Sequence, residues 1–103
     1  MTALIERNLE ALRRLCARHR VQRLELFGSA ATDDSFDAEN SDLDFLVEFL
    51  PLELDEHADT YFGLLDGLQN LFQRRVDLVM TRAIKNPYFL KSINQSRRVV
   101  YAA

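Results

Sequence analysis

The sequence predicts an α+β fold: a mixed sheet of about four strands with helices packed mainly on one face. Three observations point there. Residues 3–20 and 56–74 space their apolar side chains at three- and four-residue intervals, the mark of amphipathic helices. Four short runs, Arg23 to Phe27, Asp42 to Phe49, Arg75 to Met80 and Arg97 to Tyr101, alternate or concentrate apolar residues as strands do. The 103 residues, 48% of them hydrophobic, suit one domain over residues 1–103 with a modest core, and a second substrate-binding unit does not fit within them.

In the first helix, Ile5, Leu9, Leu12 and Cys16 share a face, and Glu6, Arg7, Glu10, Arg13, Arg14 and Arg18 surround the other. Thr2 is placed to cap its start, and Arg18-His19-Arg20 suits the negative pole at its end. Cys16 is the only cysteine and lies on the apolar stripe, so neither an intrachain disulfide nor a thiolate metal centre is expected. His19, at the helix end, is expected to be solvated or to pair with the helix dipole. In the first strand Leu24 and Leu26 alternate with Arg23 and Glu25, and the strand breaks at Gly28. Glycine permits a tight turn and close approach of a ligand, and Ser29-Ala30-Ala31 opens a short helix behind it. Thr32 to Ser41 carries Asp33, Asp34, Asp37 and Glu39 around a single large apolar residue, Phe36, and reads as a surface loop. It lacks the central glycine and closing glutamate of a calcium loop.

The second strand carries the most informative pattern. Strand side chains alternate, so Asp42 and Asp44 share one face while Phe45, Val47 and Phe49 take the other and anchor the strand in the core. Like charges side by side repel, and a hard divalent cation between them relieves the cost; Mg²⁺ is the natural candidate. Pro51 and the acids Glu53, Asp55 and Glu56 lead into the second long helix, with Tyr61, Leu65, Leu68 and Phe72 on its buried face. Gly63 and Gly67 mark close packing, and His57 is expected at the surface. In the third strand Val76, Leu78 and Met80 oppose Asp77 and Val79. Asp77 needs a partner there, and lies beside Asp42 and Asp44 if the two strands are neighbours. Asn86-Pro87 caps and opens a short helix over Tyr88 to Gln95.

The net charge of −3 offers no broad basic surface, which argues against a dedicated nucleic-acid binder. No apolar run approaches the roughly 20 residues of a membrane helix, and the basic-then-apolar order of a signal peptide is missing, so the expected compartment is the cytoplasm. Three carboxylates from two strands, beside a Gly-Ser turn at the end of a third, supply the parts for metal-assisted phosphoryl or nucleotidyl transfer, in which the protein mainly positions and screens a group that brings its own charge.

Leu26-Phe27-Gly28-Ser29, Ser41-Asp42-Leu43-Asp44-Phe45-Leu46-Val47-Glu48-Phe49 and Val76-Asp77-Leu78-Val79 together resemble the minimal nucleotidyltransferases (MNT) of the DNA polymerase β superfamily, in order and in context, over nearly the whole chain. The resemblance implies the nucleotidyltransferase fold. It implies that Asp42, Asp44 and Asp77 are catalytic and hold two Mg²⁺ ions, Asp77 also helping to activate the acceptor hydroxyl, and that Gly28 and Ser29 bind the terminal phosphates of the nucleotide. It further implies an antitoxin that transfers AMP from ATP to a tyrosine of a small helical HEPN toxin. The chain departs from the family pattern in having Ala31-Thr32-Asp33 where Ala-Arg-Gly is usual, and a connection to the acidic pair roughly two residues longer. Arg82 and Lys85 are candidates to offset the charge of Asp33 and Asp34. Two other classes compete: a catalytically weak module that neutralises a partner by direct contact, and a nucleic-acid-modifying transferase, disfavoured because a basic groove is missing.

Overall fold

The computed structural model describes residues 3–32 and 42–103. The possible cap Thr2 and the acidic loop from Asp33 to Ser41 lie outside the described residues. In chain order the elements are α1 (Ala3–Arg7), α2 (Leu9–Arg18), β1 (Val21–Phe27), α3 (Ser29–Thr32), β2 (Leu43–Phe49), α4 (His57–Phe72), β3 (Val76–Met80), α5 (Pro87–Ser96) and β4 (Arg98–Ala102). The sheet runs β3-β2-β1-β4; β1 is antiparallel to β2 and to β4, whereas β2 and β3, joined through α4, are parallel.

The main core lies on one face of this sheet. Leu24, Leu26, Leu43, Phe45, Val47, Val76 and Leu78 meet Leu12 and Cys16 of α2 and Leu64, Leu68 and Phe72 of α4. The ring of Phe45 stacks on that of Phe72 with centroids 6.0 Å apart. The opposite face carries a smaller cluster, Phe27 and Leu46 under Ile93 of α5, with Val79 and Ile84 packed against it. Helices therefore sit mainly on one face, as expected, and α5 covers part of the other.

Several boundaries differ from the periodicity for local reasons. The first helix is interrupted at Asn8, whose side-chain amide donates to the Leu4 carbonyl at 2.8 Å and competes for the acceptor of the helical ladder. β1 begins at Val21, two residues early, because Arg20 adopts a left-handed φ of 57° and turns the chain at once. A bulge between Val21 and Arg23 then leaves Gln22 and Arg23 both exposed and delays the alternation to Leu24. α4 stops at Phe72, short of residue 74, with Gln73 left-handed at φ 53°. Its fully buried line is Leu64-Leu68-Phe72; Tyr61 and Leu65 flank it, half-buried. Gly67 marks close packing as expected, since a Cβ there would lie 2.5 Å from Leu15 Cδ1 of α2. β2 starts at Leu43, so Asp42 precedes it, and β4 starts at Arg98.

Asn86 caps α5 as its sequence suggests: its side chain accepts from the amides of Tyr88 at 2.8 Å and Phe89 at 3.3 Å. Asn86→Ala should lower the stability of the whole domain by about 1 kcal/mol, read as a shift in urea midpoint at unchanged m-value. A larger change in m would mean that α5 detaches alone.

Candidate active site

β1 ends where β2 and β3 begin, and the register lines up Phe27, Asp44 and Asp77 in one row across three strands. Register partners project to the same face from strands about 4.8 Å apart. Asp44 and Asp77 therefore stand side by side on the α5 face, turned away from the main core. Asp44 is half-buried and Asp77 exposed. The Asp44 carboxyl is pushed up to about 6, first by burial, then by the charge of Asp77, by a hydrogen bond with the Asp77 side chain and by the charge of Asp42. Without a cation the pair attracts a proton in its place.

Asp42 sits at the margin. It is exposed, and its Oδ2 lies 3.9 Å from Nε of Arg75, one residue before β3. Its charge reaches Asp44, yet among the described residues no three His, Cys, Asp or Glu side chains gather closely enough to hold a metal ion. The sheet thus unites two of the three acids and leaves the third paired with arginine. The donors are hard carboxylate oxygens already short of positive charge, a set that fits Mg²⁺.

Gly28 closes the row. Its φ is +74°, and a Cβ added there would lie 2.6 Å from Asp44 Oδ2, so both the backbone angle and the neighbouring carboxylate require glycine. Its N–H donates to Ser96 Oγ at 2.9 Å, and its carbonyl accepts from Ala31 N–H at 3.1 Å. Ser29 follows, half-buried, as the first residue of α3.

A cavity of about 460 Å³ opens onto the acids, walled by Phe27, Tyr61, Val79 and Phe89 as well as Asp44 and Asp77. Phe27 and Phe89 meet edge to face with ring centroids 6.2 Å apart. The Tyr61 hydroxyl donates to the Leu78 carbonyl; burial, and secondarily the charge of Asp77, raises its pKa. Periodicity assigns Tyr61 to the buried face of its helix, yet its ring reaches the edge of the sheet and lines the cavity with Phe89. Ser96 carried no signal at all, because its partner lies 68 residues away in sequence.

Other candidates fall elsewhere. Arg82 follows the far end of β3, its guanidinium 3.0 Å from Nδ1 of His57, in a separate cavity of about 390 Å³ that also includes Glu48 and Met80. It is not beside the acids, because Asp77 and Arg82 flank opposite ends of one extended strand. Lys85 is exposed just before α5. His19 is half-buried rather than fully solvated: a Cβ on Gly63 would approach its ring to 3.0 Å, and burial, with Arg18 second, lowers its pKa.

Comparison with known proteins identifies the family and the fold. Residues 9–100 match the family described as Nucleotidyltransferase domain. A protein of Methanocaldococcus jannaschii named "Putative protein adenylyltransferase MJ0128" is 41% identical over 78 residues, covering 76% of this chain and 74% of the relative. A solved chain described as "Structure of putative minimal nucleotidyltransferase" superposes with a TM-score of 0.63 at 33% identity, over 90% of this chain and 89% of that one. A chain from the complex of a tri-AMPylated Shewanella oneidensis HEPN toxin with its MNT antitoxin shares the fold, with a TM-score of 0.64 at 18% identity over 96% of this chain and 73% of that one.

Two outcomes follow from the raised pKa of Asp44 and the packing of Gly28 against it. Folded Asp44 keeps its proton up to about pH 6, whereas an unfolded aspartate releases it near 3.8, so between these values the folded state binds more protons and stability falls as pH rises. In EDTA, Asp44→Asn should therefore be more stable than the parent at pH 7, by about 1 kcal/mol after allowance for a half-exposed group, and equal to it near pH 4. Thermal melts at both pH values check this, and equal melting at pH 7 would refute the strain. Gly28→Ala should cost about 1–2 kcal/mol, and removing the opposing carboxylate in Gly28→Ala/Asp44→Gly should return part of it. Strict additivity of the two changes would deny their contact.

Proposed function

Because the chain belongs to the nucleotidyltransferase-domain family of enzymes, we propose that its acidic cavity transfers AMP from ATP to a protein hydroxyl, a tyrosine of a helical HEPN partner, as the antitoxin of a toxin–antitoxin pair. The observation that carries this reading is the lateral pair Asp44–Asp77 set against Gly28. Two adjacent carboxylates serve a hydrolase or a transferase equally well; the glycine turn in contact with one of them adds a place for phosphate beside a place for metal. Two Mg²⁺ ions held by Asp42, Asp44 and Asp77 would supply neutralisation of the triphosphate and acidify the acceptor hydroxyl.

The chain's own residues do the rest. Ser29, at the mouth of the Gly28 turn, holds the terminal phosphates. Asp77, exposed at the cavity mouth, takes the proton of the acceptor hydroxyl as its oxygen bonds to the α-phosphorus and the bond to the β-phosphate oxygen breaks, releasing pyrophosphate. The aromatic wall of Phe27, Tyr61 and Phe89 suits a ring-bearing acceptor, since aromatic side chains pack edge to face at about this spacing. Beside that wall, Tyr88 and Leu90 are exposed on α5, an apolar margin on which a partner can rest. Among the described residues no helix is long and apolar enough to cross a membrane, and we assign the reaction to the cytoplasm, where ATP and such a partner meet.

Labelled ATP, Mg²⁺ and the helical partner should yield a labelled adduct on the partner. Asp44→Ala and Asp77→Asn should each reduce the rate by about 100-fold or more. Undiminished labelling in either variant removes that residue from the reaction. Neutralisation of the partner by Asp42→Ala/Asp44→Ala without labelling would favour direct contact as the mode of action.

A further inference from the structure

We infer that Ser96 is a positioning residue for this reaction: by accepting the Gly28 N–H it fixes the Gly28–Ser29 turn against the Asp44 carboxylate, and so sets the spacing between the phosphate turn and the metal-binding acids. The inference rests on the nucleotidyltransferase reading of the site.

Ser96 is the last residue of α5 and only 8% exposed. Its Oγ lies 2.9 Å from the Gly28 nitrogen and 3.5 Å from the carbonyl of Ile93. Donating its proton to Ile93 leaves the hydroxyl a lone pair for Gly28, so a single rotamer satisfies both contacts. The end of α5 is itself clamped to β1. Arg97 Nε lies 3.1 Å and its terminal nitrogen 2.5 Å from the Glu25 carboxylate, which is 4% exposed, and a second terminal nitrogen donates to Asn94 at 2.7 Å. Such a bidentate pair resists both sliding and rotation. Glu25 lies on the strand that leads into Gly28, so the clamp and the Ser96 contact bind the same short segment from one side.

Asp44 also borders Gly28. The glycine thus meets the Ser96 hydroxyl through its N–H and leaves no room for a methyl group against the Asp44 carboxylate. Occupation of its N–H by Ser96 also changes the part Gly28 plays. It is not a free donor for a phosphate; it contributes space, and Ser29 is left to meet the nucleotide. Removing the hydroxyl would leave a half-buried amide unpaired, and the turn would shift to find another partner. Displacements of this kind, far from the reacting bond, are enough to slow a reaction that depends on alignment.

The test uses the full-length ¹⁵N-labelled chain as wild type, Ser96→Ala, Ser96→Thr and Ile93→Val, the last loosening the same helix without touching the acceptor. Two readouts are taken: amide exchange of Gly28 without ligand, and calorimetric affinity for an ATP analogue with methylene between the α- and β-phosphates, in Mg²⁺. In Ser96→Ala the Gly28 amide should exchange about tenfold faster and the analogue bind about fivefold or more weakly, whereas Ser96→Thr and Ile93→Val should both stay within about twofold of wild type. Wild-type affinity in Ser96→Ala, or an equal loss in Ile93→Val, overturns the positioning role. Absence of binding by the wild type would instead bring down the nucleotidyltransferase reading and this inference with it, and the two failures are told apart by the wild-type titration.

Discussion

The parallel register of β2 on β3 is the constraint from which the rest of the site follows. It sets Asp44 against Asp77 because Phe45 pairs with Leu78 and Leu43 with Val76 one step to either side. Those four side chains are buried in the main core. A slip of one residue would drive a carboxylate inward and an aromatic ring outward. Hydrophobic burial on one face therefore enforces electrostatic strain on the other. Strain of this sort is stable only while the core is stronger than the repulsion, and about 1 kcal/mol at a half-exposed pair is small beside the several kcal/mol contributed by a residue such as fully buried Phe45.

The second face has a different logic. Its apolar cluster is small, and α5 is held there less by area than by placed polar contacts: the Asn86 cap at its start, Ser96 on Gly28, and Arg97 on Glu25 at its end. Directional bonds fix position more closely than an apolar patch of the same size, because hydrophobic attraction is indifferent to small sliding. That suits an element which walls the acidic cavity with Phe89 and meets the Gly28 turn through Ser96.

Much of this was legible in the chain. Period-two and period-3.6 patterns locate the four strands and the long helices of the described residues, and the Asp-x-Asp step leading into Phe45 marks the acidic edge. Features that depend on contacts distant in sequence escaped. Glu25 alternates with Leu24 and Leu26 as a solvent residue would, yet it is buried, because Arg97 arrives from 72 positions away to neutralise it. A stripe read from Tyr61 at intervals of four and three selects Leu65, but a neighbouring line is equally apolar, and the packing of α2 buries Leu64 instead. The break at Asn8 comes from one side-chain amide outcompeting the helical ladder, which a propensity cannot signal when the flanking residues are good helix formers.

Asp42 is where pattern and structure part most informatively. Alternation put it on the same face as Asp44, but the strand begins one residue later, so the sheet holds Asp44 and Asp77 and not Asp42. Its contact with Arg75 is long and exposed, the kind of ion pair that contributes between nothing and about 1 kcal/mol. A divalent ion attracts a carboxylate more strongly than one guanidinium does at 3.9 Å in water, simply because its charge is double and its approach closer. Asp44 and Asp77 are thus fixed side by side by the register of β2 and β3, whereas Asp42 lies just outside the strand with only a weak, exposed arginine contact. Repulsion within the acidic edge therefore falls mainly between Asp44 and Asp77, with the charge of Asp42 the smallest contribution to the raised pKa of Asp44.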